Sequence, residues 1–360
     1  MERFDKGLAY MLQYENVAWY DSGKVRILDR RIYPVKVEFV TCERHEDVAQ
    51  AIADMVTQSA GPYAAAGMGM ALAAHEAKNL DATGFKAYME KAAYTLSHAR
   101  PTTVTRMKII TSGCLEVALQ AREAGKPADI AVREHSMAST DARYRKIAIT
   151  AGNLVDMFPK KGTVMTQCFG ETIVGQMLRV AKERGHELKI ICPETRPYFQ
   201  GARLTASVAQ DMGYDVTVIT DNMPAHTMQH KNVDVFTSAA DAICMDGYVV
   251  NKIGTLQIAI VAKYFGVPYF VTGGPDKGHE TIHTITIEER DPDFVLQAMG
   301  NRTAMQGVKG YYPSFDATPP HLVSGVVTDR GIFSPYDLHR YYSNNSQGVF
   351  ESSDNNMIVV

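Results

Sequence analysis

"VMTQCFGETIVGQMLRVAKERG", residues 164–185, begins as an apolar run, passes through a cysteine, and continues with apolar residues three and four positions apart. A short apolar run followed by a period of about 3.6 is the pattern of a strand that leads into a helix. The same rhythm recurs downstream. "ELKIICPET" (187–195) precedes "GARLTASVAQDMG" (201–213), "DVTVITDN" (215–222) precedes "MPAHTMQHK" (223–231), and "VDVFTSAADAIC" (233–244) precedes "TLQIAIVAKYFG" (255–266), with "VPYFVTGG" (267–274) after it. Strands alternating with helices predict parallel βαβ units, and so an α/β fold with a doubly wound parallel sheet. Ligands of such sheets bind outside the carboxyl ends of the strands. "TQCFG", "PETRP", "ITDNM", "SAAD" and "VTGG" are therefore expected along one edge. No GxGxxG or Walker glycine loop stands at a strand end, so the usual nucleotide fingerprints are missing.

Upstream, residues 128–158, "ADIAVREHSMASTDARYRKIAITAGNLVDMF", read as one long amphipathic helix stopped by Pro159. It is expected to join two domains. The preceding part, 1–127, starts with β-rich runs around an Asp-Ser-Gly turn in residues 16–42, which suit a short antiparallel sheet. From Glu46 to about Ala124 the spacing is helical, and the Gly/Ala stretch of residues 60–74 permits close backbone approach, for packing or for a ligand. The expected layout is a smaller helix-rich domain (1–127), the connecting helix (128–158), the parallel-sheet domain (159–345), and a Ser/Asn-rich extension (346–360).

Lys plus Arg number 37 against 40 Asp plus Glu, with no basic run, so nucleic acid is not an expected partner. No stretch of about eighteen apolar residues occurs, so no membrane span is expected and the cytoplasm is the expected location. Five cysteines without a CxxC pair or a histidine cluster argue against a disulfide framework and against a zinc site.

Cys168 lies at the junction of strand and helix, where first-turn amides and the helix dipole favour an anion and lower a thiol pKa; a buried packing cysteine is the alternative. Asp241 follows an apolar strand at the same edge. There a carboxylate either caps the next segment or is held partly protonated by desolvation. As a pair, one base and one acid at neighbouring strand ends suit proton transfer better than hydrolysis. Arg196, Gln200, Arg203, Asn251, Lys252 and Arg100 are donors of the type that holds phosphate and hydroxyl groups. His226 and His230 share a helix face without a third ligand nearby, and read as solvated.

The motifs "TQCFG", "ETRPYFQGARLTA", "VITDNM", "AADAICMDGYVVNKIGT", "IEERDP" and "YYPSFDATPPHLVSGVVTDRG", in this order, resemble the family of methylthioribose-1-phosphate isomerases, ribose-1,5-bisphosphate isomerases and the regulatory subunits of the guanine-nucleotide exchange factor for translation initiation. "ILDRRIYP" and "RPTTV" extend the resemblance into the first half. It implies a Rossmann-like catalytic domain, a homodimer, and isomerisation of an aldose 1-phosphate to the ketulose 1-phosphate with no metal or organic cofactor. In the isomerase branch Cys168 and Asp241 correspond to the catalytic pair, which the exchange-factor subunits lack. Gln200, Asn251, Lys252 and Arg100 correspond to substrate contacts. The family's phosphate loop falls on "QSAGP", residues 58–62, which makes Ser59, Ala60 and Gly61 implied contacts and leaves a phosphate-binding arginine without a counterpart. Phe169 and "MDGY" also depart from the methylthioribose pattern, which opens the choice of sugar: 5-methylthioribose 1-phosphate first, then 5-deoxyribose 1-phosphate or ribose 1,5-bisphosphate. A sugar-phosphate-sensing subunit without turnover is the alternative of another class.

Overall fold

The computed structural model describes residues 3–100 and 104–343, so the extension at 346–360 and Pro101–Thr103 lie outside the described residues. The chain divides into two compact units, one through Arg145 and the other from Lys146.

The first unit opens with α1 (Tyr14–Val17) and a three-stranded antiparallel sheet, β1 (Ala18–Asp21), β2 (Lys24–Leu28) and β3 (Phe39–Cys42). Ser22 and Gly23, at φ 49° and 80°, close the β1–β2 hairpin with the left-handed backbone a two-residue turn requires. Helices α2 (His45–Ala53), α3 (Gly61–Glu76), α4 (Ala82–Ser97) and α5 (Val104–Glu123) follow. α3 is buried almost all round, which its Gly/Ala/Met sequence allows. A Cβ at Gly69 would stand 2.9 Å from Leu96 and 3.0 Å from Val48, so here the small residues serve helix packing. α6 (Ala128–Val155) runs across the division between the units.

The second unit holds β4 (Lys161–Met165), α7 (Thr172–Glu183), β5 (Glu187–Pro193), α8 (Ala206–Asp211), β6 (Asp215–Ile219), α9 (Pro224–His230) and β7 (Val235–Ala239). After β7 come β8 (Ala242–Ile243), β9 (Val249–Lys252), α10 (Thr255–Phe265) and β10 (Tyr269–Thr272). β11 (Gln297–Ala298), β12 (Asn301–Arg302), β13 (Phe315–Thr318), β14 (Gly325–Thr328) and β15 (Gly331–Phe333) follow. The main sheet has the order β15-β14-β10-β7-β4-β5-β6, parallel except for β15. The apolar runs read as strands from the sequence are β4, β5, β6, β7 and β10.

The strand order reverses at β4: the chain moves outward through β5 and β6, then returns to lay β7 on β4's other side. β7 pairs β4 through Val164↔Val235 and Met165↔Phe236. Residues 247–255, a polar, glycine-broken stretch by sequence, contain the fully buried strand β9, sandwiched between β8 and β13 in a second small antiparallel sheet. The strand was hidden because its partner β13 comes from far downstream. No described helix is long and apolar enough to cross a membrane.

The core of the second unit gathers Met165, Phe236, Tyr269, Val271 and Val326, with the Phe236 and Tyr269 rings stacked at 4.4 Å between centroids. Phe236 is 0% exposed. Phe236→Ala is expected to destabilise this unit by about 3–5 kcal/mol, read as a lowered urea midpoint; a loss within experimental error would contradict this packing.

Candidate active site

Two parallel neighbours whose chain connections leave in opposite directions form a crevice at their carboxyl ends. Here those neighbours are β4 and β7. Cys168 follows β4 and Asp241 follows β7, so the sequence-predicted pair flanks the reversal point.

The β4–α7 connection is a strained loop. Cys168 and Glu171 have φ 59° and 53°, and in the next connection Thr195 and Phe199 have φ 62° and 58°. Non-glycine residues avoid this region unless their surroundings hold them there, and such residues concentrate at functional sites. The holding bonds are visible. Cys168 N donates to Thr195 Oγ1 at 3.2 Å, and Thr205 Oγ1 donates to Cys168 O at 2.5 Å. Thr195 N and Arg196 N donate to the two oxygens of Asp221 at 2.8 and 2.6 Å. Thr205 closes a π-helical turn, Gly201–Thr205, that follows Gln200. Gly201 packs so tightly there that an added Cβ would meet Pro193 O at 1.8 Å.

The sequence suggested a thiol with a lowered pKa, and the structure corrects this. α7 starts at Thr172, so Cys168 stands before the first turn rather than in it. Burial pushes the Cys168 thiol up to about 11. Lys252 favours the thiolate, Asp241 opposes it, the Phe169 amide favours it and Asp221 opposes it. Desolvation therefore outweighs the single cation. Cys168 is half-buried, whereas Cys42, Cys114, Cys192 and Cys244 are buried. Asp241 likewise departs from expectation, since its side chain is exposed rather than desolvated, while its amide donates to Val250 O at 2.9 Å.

Gln200, Asn251 and Lys252 are buried in the same unit, at 6%, 5% and 5% exposure. Gln200 Oε1 has no hydrogen-bond partner among the described residues. Asn251 Nδ2 donates to Thr255 Oγ1 at 3.1 Å, and Thr255 Oγ1 donates to Lys252 O at 2.7 Å. Beside Gln167 a cavity of about 280 Å³ opens, with Pro197, Ile253, Ile258 and Val295 as apolar walls and Arg196, Asp221 and Tyr312 as polar ones. Arg196 Nη2 is anchored on the carbonyls of Val295 and Gln297, at 3.3 and 2.7 Å. Arg203 donates to Tyr198 O, at 3.0 and 2.6 Å, a structural bond within its own loop.

In the first unit, Ser59 has φ 59°, Ala60 is buried and Gly61 begins α3. A cation does stand beside this loop: the fully buried Arg30 of "ILDRRIYP" donates through Nη1 to Gln58 O at 2.7 Å. Arg100 is half-buried and directly precedes Pro101–Thr103. His226 and His230 lie 4.3 Å apart as rings on α9. His45, Glu46 and Glu76 come together as three potential ligands, but Arg44 contacts both carboxylates, at 3.0 and 3.9 Å, so this is an ion-pair cluster.

Thr195, Thr205, Asp221, Tyr312 and Asp316 shape the site and were given no role from sequence. Asp221 has a legible signal, a carboxylate two residues past the β-branched strand β6; the others depend on contacts between distant segments.

Residues 57–335 match the model of the Initiation factor 2 subunit family. The 5-deoxyribose 1-phosphate isomerase of Clostridium botulinum (strain Loch Maree / Type A3) is 34% identical over 335 residues, covering 89% of this chain and 95% of that protein. Among solved structures, 5-methylthioribose 1-phosphate isomerase from Pyrococcus horikoshii OT3 superposes with a TM-score of 0.79 at 29% identity, over 93% of this chain and 98% of that one. Translation initiation factor eIF-2B subunit delta from A. fulgidus gives 0.78 at 31%, over 89% and 96%.

Alkylation of Cys168, followed by mass spectrometry of its peptide, is expected to rise with pH to a midpoint near 11. Two units below that midpoint the rate should be about a hundredfold under its plateau. Lys252→Met removes the favouring cation and should move the midpoint higher still; a midpoint at or below the ordinary cysteine value would refute this electrostatic picture.

Proposed function

Since the chain belongs to the Initiation factor 2 subunit family and carries a cysteine and an aspartate at its sheet's reversal point, we propose that it is an aldose–ketose isomerase of phosphosugars, converting an aldose 1-phosphate to the ketulose 1-phosphate. The observation that carries the reading is the coupling of the two groups: Asp241 is among the charges that oppose ionisation of Cys168. Protonating Asp241 removes that opposition, so a proton placed on the carboxyl lowers the cost of forming the thiolate.

A sugar phosphorylated on its anomeric oxygen cannot open to a free aldehyde. The Asp241 carboxyl gives its proton to the ring oxygen as the C1–O bond breaks, while the Cys168 thiolate takes the proton from C2 and the C1–C2 double bond forms. The Asp241 carboxylate then takes the proton of the C2 hydroxyl, and the thiol returns its proton to C1. The product is the 1-phosphoketose and the pair is restored. Asp241 is exposed in the chain itself, so docking of the sugar supplies the desolvation that a proton-donating carboxyl needs. Lys252 offers the phosphate a buried cation, and the buried Asn251 and Gln200 amides offer polar groups for the sugar.

The apolar walls Pro197, Ile253, Ile258 and Val295 support a C5 substituent without charge. 5-Methylthioribose 1-phosphate is the first choice and 5-deoxyribose 1-phosphate the second. Ribose 1,5-bisphosphate would bring a second phosphate against those walls. The chain is further proposed to act as a homodimer.

Each sugar is incubated with the purified protein and ketose formation is followed by ³¹P NMR. Turnover of at least one 5-deoxy sugar phosphate is expected, and Cys168→Ala and Asp241→Asn should each lower kcat by about 10³-fold or more. Undiminished turnover in either variant refutes the assigned pair. Tight binding without turnover of any sugar replaces the enzyme by a sensing subunit.

A further inference from the structure

The turn after β9 carries Asn251 and Lys252 and is fixed from two sides. Its internal bonds run through Thr255. Its external ones come from β13: Asp316 Oδ2 accepts from Gly254 N at 2.7 Å and Oδ1 accepts from Leu256 N at 3.1 Å. Both oxygens of one carboxylate thus hold the amides at the start of α10. In the β9–β13 ladder Asp316 faces Asn251 and Phe315 faces Lys252, whose ammonium lies 4.8 Å from the Phe315 ring centre.

On its other side the turn presses on the loop of the thiol. Gln167 Nε2 donates to Ile253 O at 3.2 Å. Gly254 has φ 101°, a conformation that favours glycine, and a Cβ there would stand 3.1 Å from Gln167 Nε2. Asp316, the turn, Gln167 and Cys168 therefore form one chain of direct contacts. Lys252 is the cation that favours the Cys168 thiolate.

We propose that Asp316 is a positioning residue: by holding the amides of Gly254 and Leu256 it sets where Lys252 stands relative to the Cys168 thiol. The catalytic meaning of this position rests on the function proposed above. Burial pushes the Asp316 carboxyl up to about 6, against its two amide bonds and Lys252. Lys252 of β9 and the Tyr269 phenol of β10 are the titratable groups that face it, while α10 presents backbone amides. Protonation below that value removes the negative charge that grips the amides, so the clamp weakens as pH falls.

A positioning role and a direct charge effect have opposite signs. Loss of a nearby negative charge by itself eases thiol ionisation, whereas displacement of Lys252 hinders it. The test is alkylation of Cys168 across pH in the full chain, for Asp316→Asn and Asp316→Ala, with thermal melting as the control for folding. The near-isosteric Asn variant decides the matter where the Ala variant does not fold. The midpoint is expected to rise by about 1 unit. In a Lys252→Met background the same substitution should add little, because the cation it positions is gone. A midpoint that stays or falls, or a full additive shift without Lys252, overturns the proposal. Turnover is measured in parallel: an inactive wild type with the expected alkylation shift rejects the isomerase reading and leaves the positioning role standing, whereas an active wild type with no shift rejects only the positioning role.

Discussion

The pairing of β7 against β4 is the constraint on which the site depends. Val164↔Val235 and Met165↔Phe236 register two parallel strands that are far apart in the chain, and the residues that follow them inherit that register. β5 and β6 occupy one side of β4, so the returning chain has one neighbour position left. The reversal leaves a crevice between the two strand ends, and both titratable residues of the candidate pair follow those ends. The stacked Phe236 and Tyr269 rings beneath keep β7 and β10 from shifting, so the floor of the crevice is a packed core.

On that floor the local energetics are a contest between desolvation and charge. The thiol is removed from water by the fold that positions it, and this removal is the largest influence raising its pKa. One buried ammonium favours ionisation, and two carboxylates oppose it. Both oxygens of Asp221 hold the backbone of Thr195 and Arg196. Asp241 is exposed, and its amide donates to Val250 O.

How much of this was legible follows from range. The inner parallel strands β4, β5, β7 and β10 are largely buried and read as apolar runs, the exposed edge strand β6 is legible by its β-branched residues, and with these strands Cys168 and Asp241 are legible as strand-end residues. β9 is not, because its burial depends on β13, and "GYVVNKIGT" taken alone carries glycines and polar residues that suit a loop equally well. The state of the thiol was misread for a related reason. Proximity to a helix start is visible in sequence, but the depth of burial is set by packing from distant segments. Asp316 sits in a motif whose identity was plain, yet its grip on Gly254 and Leu256 joins residues that no local spacing relates. Arg30 shows the same limit: nothing in "ILDRRIYP" foretells that its guanidinium turns inward to meet Gln58.

The raised thiol also bears on durability. Peroxide and other oxidants attack the thiolate, so a sulfur kept protonated at rest is a slow target for conversion to sulfenic acid. The four remaining cysteines are buried. A protein arranged in this way keeps this sulfur dormant under mild oxidative stress, and only an event that drew the proton away would open it to damage.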